Sequence, residues 1–203
     1  MGLRNRQSSY DRSAPGSPRR AQRRAMTVIR SGGVREGWGE QKSRMITWHD
    51  PAPTAAIGAA MDGVEYVRAT IDGQLPSPPI TQLMQFEPVS VDPGKAVLTC
   101  MPDESAYNAV GAVCGGLVCT LLDNAMGCAL HSTMPKGKGF TSIEIKVNFL
   151  KGVRPSSGLL TATGTVVKSG SGAAFTEGTV TDASGTLVAT ASSSLLIIDF
   201  PSS

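Results

Sequence analysis

The sequence predicts an α+β fold, one long central helix set against an antiparallel sheet of five or six strands. Two observations carry that expectation. Residues 115–131 run GGLVCTLLDNAMGCALH, with no proline and a single acid, which suits one buried helix about 25 Å long at 1.5 Å per residue. The remaining patterned stretches are short, alternate with period two and are separated by glycine- or proline-bearing turns, as antiparallel neighbours require.

In chain order, residues 1–46 read as a disordered basic tail and residues 47–203 as the folded domain. Residues 1–45 carry eleven Lys or Arg against three acids, net +8, whereas residues 46–203 carry eight against thirteen, net −5. The overall charge of +3 thus conceals a basic tail on an acidic domain. The tail is rich in Arg, Ser, Gly and Pro and holds too little apolar surface to order itself. A solvated extension, or a true start at Met26 or Met45, is the plain reading; an organellar transit peptide, or contact with nucleic acid or membrane, is the alternative. No nucleic-acid partner is expected, and no apolar run approaches the roughly eighteen residues of a membrane span. Four cysteines, at 100, 114, 119 and 128, lack C-x-x-C spacing. Reduced, mostly buried thiols in a cytoplasmic setting, with no metal and no cofactor, are therefore expected.

Within the domain, Val64, Val67 and Ile71 recur at helical spacing ahead of Gly73, Pro76, Pro78 and Pro79, predicting a short amphipathic helix and a proline-rich connector. Residues 85–91 and 96–101 flank Asp92-Pro93-Gly94-Lys95 as a hairpin, with Pro88 at an edge or a bulge. After the long helix, Ile143, Ile145, Val147 and Phe149 alternate with Ser142, Glu144, Lys146 and Asn148, predicting a strand with one buried face. Further strands are expected over 159–168, 174–182 and 186–198. One such sheet leaves a face and an edge uncovered, so self-association is expected.

The chemistry points to the helix. A lone carboxylate buried at Asp123 costs on the order of several kcal/mol unless it is paired, hydrogen-bonded or protonated. Gly116, Thr120, Asp123 and Gly127 fall at i, i+4, i+7 and i+11, a stripe of small and polar side chains with room for a ligand. The helix begins at Cys114-Gly115-Gly116, where free N–H groups and a positive macrodipole favour developing negative charge. With only His49 and His131 and no G-x-S-x-G, a Ser-His-Asp hydrolase is not indicated. A Cys114–His131 dyad fails within one chain, since the two stand about 25 Å apart along the helix. Gly170 and Gly172 open a strand rather than a helix and make no dinucleotide fingerprint.

The joined pattern of Asn108, Gly111, Cys114, Gly115 and Gly116, with Asp123 seven residues on and GFTSIEIKVNFLKGV over 139–153, resembles the PaaI-like acyl-CoA thioesterases of the hotdog superfamily. The resemblance runs from about residue 60 to the end. It implies a hotdog fold with residues 115–131 as the sausage, and hydrolysis of a medium-chain or aromatic acyl-CoA to free acid and CoA. It also implies dimers with two sites at the interface, often paired into homotetramers. Asp123 then serves as general base or nucleophile and the Gly115 N–H as oxyanion donor. Asn108 orients the water or the thioester, its plainer role being to cap the loop near Gly111. Gly116, Cys114 and Thr120 line the substrate; Ser142 matches a polar position that the family contributes from the partner subunit, with Thr141 beside it. Leu75, Ile80, Leu83, Met84 and Phe86 are candidate walls of an acyl groove. Two departures stand out: Cys114 replaces the family's histidine, as a packing residue or a nucleophile, and Ser171-Gly172 replaces an arginine at the nucleotide end. Lys136, Lys138, Lys151 and Arg154 remain as candidates for phosphate. The alternative is a non-catalytic hotdog that binds acyl-CoA or regulates.

Overall fold

Why the chain folds around residues 115–131 is visible in how little space separates that helix from the sheet. The computed structural model describes residue 37 and residues 39–200, so most of the expected tail over 1–46 lies outside the described residues. From Met45 the chain folds as one compact unit. Helices α1 (Pro51–Ala59), α2 (Gly63–Ile71) and α3 (Pro79–Met84) precede strands β1 (Phe86–Asp92) and β2 (Lys95–Cys100). The long helix α4 (Gly115–His131) follows, and then β3 (Lys138–Phe149), β4 (Leu160–Ser169), β5 (Ala173–Thr181) and β6 (Leu187–Asp199). The six strands form one antiparallel sheet in the order β1-β2-β4-β5-β6-β3.

Helix α4 beds on the middle of this sheet through two cross-strand neighbours, Gly164 on β4 and Gly178 on β5. A Cβ at Gly164 would stand 2.3 Å from the Ala125 carbonyl oxygen, and one at Gly178 would stand 2.9 Å from Leu122 Cδ2. Both positions need glycine because helix backbone and side chains occupy that volume. The contact fully buries Leu121, Leu122, Ala125, Met126 and Ala129, each large side chain contributing roughly 1.5–3 kcal/mol by leaving water. The far end is tied by Ser132, whose buried hydroxyl accepts from Gly94 N–H at 2.9 Å and lies 2.7 Å from the Ala129 carbonyl and 3.0 Å from that of Asp92. The β1–β2 turn is thereby fastened to the end of α4.

Several expectations need correction. Two of the first three helices were not foreseen: α1 starts at Asp50, whose side chain accepts from Ala52 N–H, followed by Pro51, and α3 lies inside the supposed connector, starting at Pro79 and stopped by left-handed Gln85 (φ 58°). Helix-start signals were present in both, but six or nine residues hold too few turns for periodicity to show. Helix α4 is buried on one side rather than all round, nine of its seventeen residues being buried. β3 has no fully buried face: it is an edge strand, Ile145 and Val147 are only half-buried, and Ile143 and Phe149 are 61% and 55% exposed. Pro88 does sit on the opposite edge strand, beside a register shift. All four cysteines are free, yet of these only Cys100 is buried and Cys114 is exposed at the start of α4. Among the described residues no helix is long and apolar enough to cross a membrane.

Candidate active site

Asp123 sits two turns into α4 and is half-buried rather than sealed in the core. Its Oδ1 accepts a hydrogen bond of 2.8 Å from Ser142 Oγ. The strand supplies this partner through a bulge: pairing of β3 with β6 slips between Ser142 and Glu144, which re-aims a side chain that strict alternation would place differently. Ser142 is therefore joined to the Asp123 of its own chain. A hydroxyl donating to one carboxylate oxygen leaves the other free to accept a proton.

The second group of expected residues lies at the start of α4. Asn108 N–H donates to the Ala112 carbonyl, and its Oδ1 accepts from Val110 and Ala112 N–H at 3.0 and 3.1 Å around Gly111, whose φ is +76°. The plainer role of Asn108, capping this loop, is thus visible, and it commits Oδ1 on a residue that is otherwise exposed. Backbone bonds from Cys114 to Ala106 and from Val113 to Val153 fix the loop against its neighbours. Among the described residues the N–H groups of Gly115 and Gly116 meet no backbone acceptor, as the first turn of a helix dictates. The Phe149 ring lies over Gly115, where a Cβ would come within 3.0 Å of it. Cys114 caps nothing with its side chain. Thr120 turns its hydroxyl back to the Gly116 carbonyl at 2.9 Å, and Thr141 is exposed on β3 opposite Leu196.

These two groups are not brought together within one chain. Gly115 and Asp123 are eight residues apart on one helix, about 12 Å along the axis, whereas a reacting pair must approach to about 3–3.5 Å.

Asp123 does open onto a cavity of about 310 Å³, walled by α4 residues Asn124, Gly127, Cys128 and His131 and roofed by α1 and α2. None of Leu75, Ile80, Leu83, Met84 or Phe86 lines it; Pro78 and Thr81, between them in sequence, do. The sequence reading missed Cys128 and His131, although Asp123, Gly127 and His131 continue one helical stripe at i, i+4 and i+8. His131 packs against Tyr66 and Phe140 with ring centroids 5.2 and 6.0 Å away. Burial lowers its pKa and pushes the Cys128 thiol up to about 11, so both are uncharged at neutral pH. Of the four phosphate candidates, Lys138 is paired with Asp199 and Lys151 with Asp182, while Lys136 and Arg154 are exposed.

Residues 110–189 match the family model of the thioesterase superfamily. Over 102 residues the chain is 32% identical to acyl-coenzyme A thioesterase 13 of Homo sapiens, covering 50% of this chain and 71% of that one. Among solved structures, the PaaI protein of the E. coli phenylacetic acid degradation operon aligns with a TM-score of 0.59 at 19% identity, over 68% of this chain and 96% of its own. A Streptococcus mutans protein solved with acetyl-CoA aligns with a TM-score of 0.52 at 25% identity, over 58% and 91%. The fold is the expected hotdog, a long helix wrapped by an antiparallel sheet. The chain belongs to the thioesterase superfamily and is a thioester hydrolase.

Proposed function

We propose that the chain hydrolyses acyl-CoA thioesters, with Asp123 as general base or nucleophile. The observation that carries this reading is a carboxylate, bonded by Ser142, that lines a mainly apolar cavity. A base so oriented can take the proton of a water that attacks the thioester carbonyl, or attack that carbonyl itself. Charge then develops on the carbonyl oxygen, and the unbonded Gly115 N–H at the positive end of α4 is suited to receive it. Asn108 NH2 lies in the loop leading to that end and orients the same carbonyl. Gly116, Cys114, Thr120 and Thr141 border the path of the substrate. Arg154 follows Val153, whose carbonyl is bonded to Val113 just before α4, and so stands where the phosphates of CoA would pass.

Because the donor and the base are about 12 Å apart in one chain, the working site takes the Asp123–Ser142 half from one copy and the Gly115–Asn108 half from another. The edge strand β3 supports a homodimer: it is unpaired on its outer side and presents Ile143, Phe149 and Leu150, each more than half exposed. Pairs of such dimers would make the tetramer. A thioester-release assay over a panel of acyl-CoA substrates tests the activity, which Asp123→Asn should abolish. Mixing Asp123→Asn with Asn108→Ala protomers tests the sharing. A two-fold dimer with composite sites regains about a quarter of wild-type turnover; no recovery in mixed dimers means that each site is built from one chain.

A further inference from the structure

Phe149 ends β3 with a large apolar ring that is 55% exposed, and the tip of that ring rests on Gly115, the oxyanion donor of the proposed reaction. We propose that Phe149 is a positioning residue of the shared site. Its ring keeps water from the Gly115 N–H of its own chain and is carried, with that N–H, to the Asp123–Ser142 pair of a second copy. This rests on the shared-site thioesterase reading and adds to it one residue and the register in which two chains meet.

A Cβ on Gly115 would stand 3.0 Å from Phe149 Cζ and 3.3 Å from Cε1, so the ring tip fills the space that a side chain at 115 would need. The backbone beneath the ring is fixed. Phe149 pairs with Ala189 on β6, and the next N–H, of Leu150, donates to the Val188 carbonyl at 2.9 Å. A ring held in this way displaces water from one side of the start of α4. The Gly115 N–H has no backbone acceptor among the described residues, and such a donor stabilises developing charge more strongly where water is excluded.

The bulge in β3 sets the side on which each end of the strand works. Ser142 and Phe149 stand an odd number of residues apart, so strict alternation would put their side chains on opposite faces of the sheet. Pairing with β6 slips between Ser142 and Glu144, and the extra residue brings Ser142 onto the face of α4, where it bonds Asp123 at 2.8 Å. Phe149 meets Gly115 of α4 on that same face. Each end of β3 therefore holds one half of the reacting set, both on one side of the sheet. At about 3.3 Å per residue the two ends are about 20 Å apart along the strand.

Two copies that pair antiparallel through their β3 edges close that distance. Phe149 of one copy faces Ser142 of the other only when the two-fold axis falls beside Ile145 and Lys146, midway between the two positions. The same register serves both ends of the interface, so each dimer forms two sites. It also lays Ile143, Phe149 and Leu150, each more than half exposed in one chain, along the join, where burial of apolar surface stabilises the pair.

Steady-state assays and protomer mixing test the ring. Phe149→Ala should lower kcat about thirtyfold, less than the roughly 10²–10³ for removing a donor outright, with KM changed no more than about twofold. Phe149→Leu, which keeps apolar bulk at the join without the flat ring, should lower kcat about tenfold, and Phe149→Tyr should stay within about threefold of wild type. Co-expressed with Asp123→Asn protomers, either Phe149→Ala or Phe149→Leu protomers should restore about a quarter of wild-type turnover, because half of the dimers are mixed and each of these has one site intact in both halves. Co-expressed with Asn108→Ala protomers they should restore nothing, since both changes damage the same half. Recovery with Asn108→Ala but not with Asp123→Asn overturns the inference, as do Phe149 variants that lose stability or dimerisation while the folded dimer keeps its kcat. The register is read by oxidising cysteine variants beside the wild type. Lys146→Cys, about 6 Å from its mate across the axis, should join two copies by a disulfide, whereas Asn148→Cys, about 15 Å from its mate, should not; the reverse pattern overturns the register. If Asn108→Ala and Asp123→Asn fail to complement each other, the shared-site reading falls. If those two complement and neither Phe149 variant does so with Asp123→Asn, only the placement of the ring falls.

Discussion

The two faces of α4 differ in everything except the backbone they share. One face is laid on Gly164 and Gly178 and carries Leu121, Leu122, Ala125, Met126 and Ala129, all inaccessible to water. The other carries Asp123, Asn124, Gly127, Cys128 and His131 along the cavity. Because side chains repeat every 3.6 residues, a single helix can assign stability to one stripe and chemistry to the next. The difference teaches that substitutions only one residue apart should fail in different ways.

The sharpest way to break that separation is Asp123→Asn. It should lower kcat about a thousandfold, within the range for loss of a general base, while the unfolding free energy moves by no more than about 0.5 kcal/mol, as at other partly exposed sites. A comparable loss in chemical denaturation would show that the carboxylate is structural. On the opposite face, Gly164→Val forces a branched side chain into volume held by the Ala125 carbonyl. It should cost about 3 kcal/mol of stability, with the folded fraction retaining its turnover. Ser142→Ala removes the hydrogen bond to Asp123; a tenfold drop in kcat is expected, since a charge-assisted hydrogen bond contributes about 1.5–3 kcal/mol. Ser132→Ala leaves Gly94 N–H without its acceptor and should cost about 1 kcal/mol in thermal or denaturant unfolding, with kcat unaltered by a change so far from Asp123.

The smallest expected effect lies off the helix and serves as a reference for both faces. Asp182 is held down to about 2 by hydrogen bonds from the Ser184 side chain and Lys151, helped by the backbone N–H groups of Thr186 and Ser184. An unfolded aspartate titrates near 3.9, so the folded state favours the ionised form. This contribution is present in full above about pH 4 and is lost as pH falls through about 2. Asp182→Asn should flatten that part of the stability–pH curve and leave the pH–rate profile near neutrality unchanged.

Much of this was legible in the sequence because it depends on local pattern. The bounds of α4 follow from a glycine pair at its start and a largely apolar, proline-free run, and the hairpin at Asp92–Lys95 follows from its turn residues. The acid of the site was conspicuous for its apolar neighbours. Short helices were harder: α1 and α3 announce themselves only by Asp50-Pro51 and Pro79, signals that also occur in loops. Expected groove residues such as Phe86, which is buried in the core, were read from composition, which cannot tell the inside of a cavity from the inside of a core.

What the amino-acid order determined alone was the long helix, the strands and their turns, and the lone acid within that helix, because each is encoded within a few neighbouring residues. Tertiary structure decided the rest. The β3 bulge, a property of pairing with β6, brings Ser142 to Asp123; packing of α1 and α2 over α4, residues 51–71 against 123–131, makes the cavity. Contacts between segments so far apart are set by which surfaces meet when the core closes, and no window of sequence contains both partners.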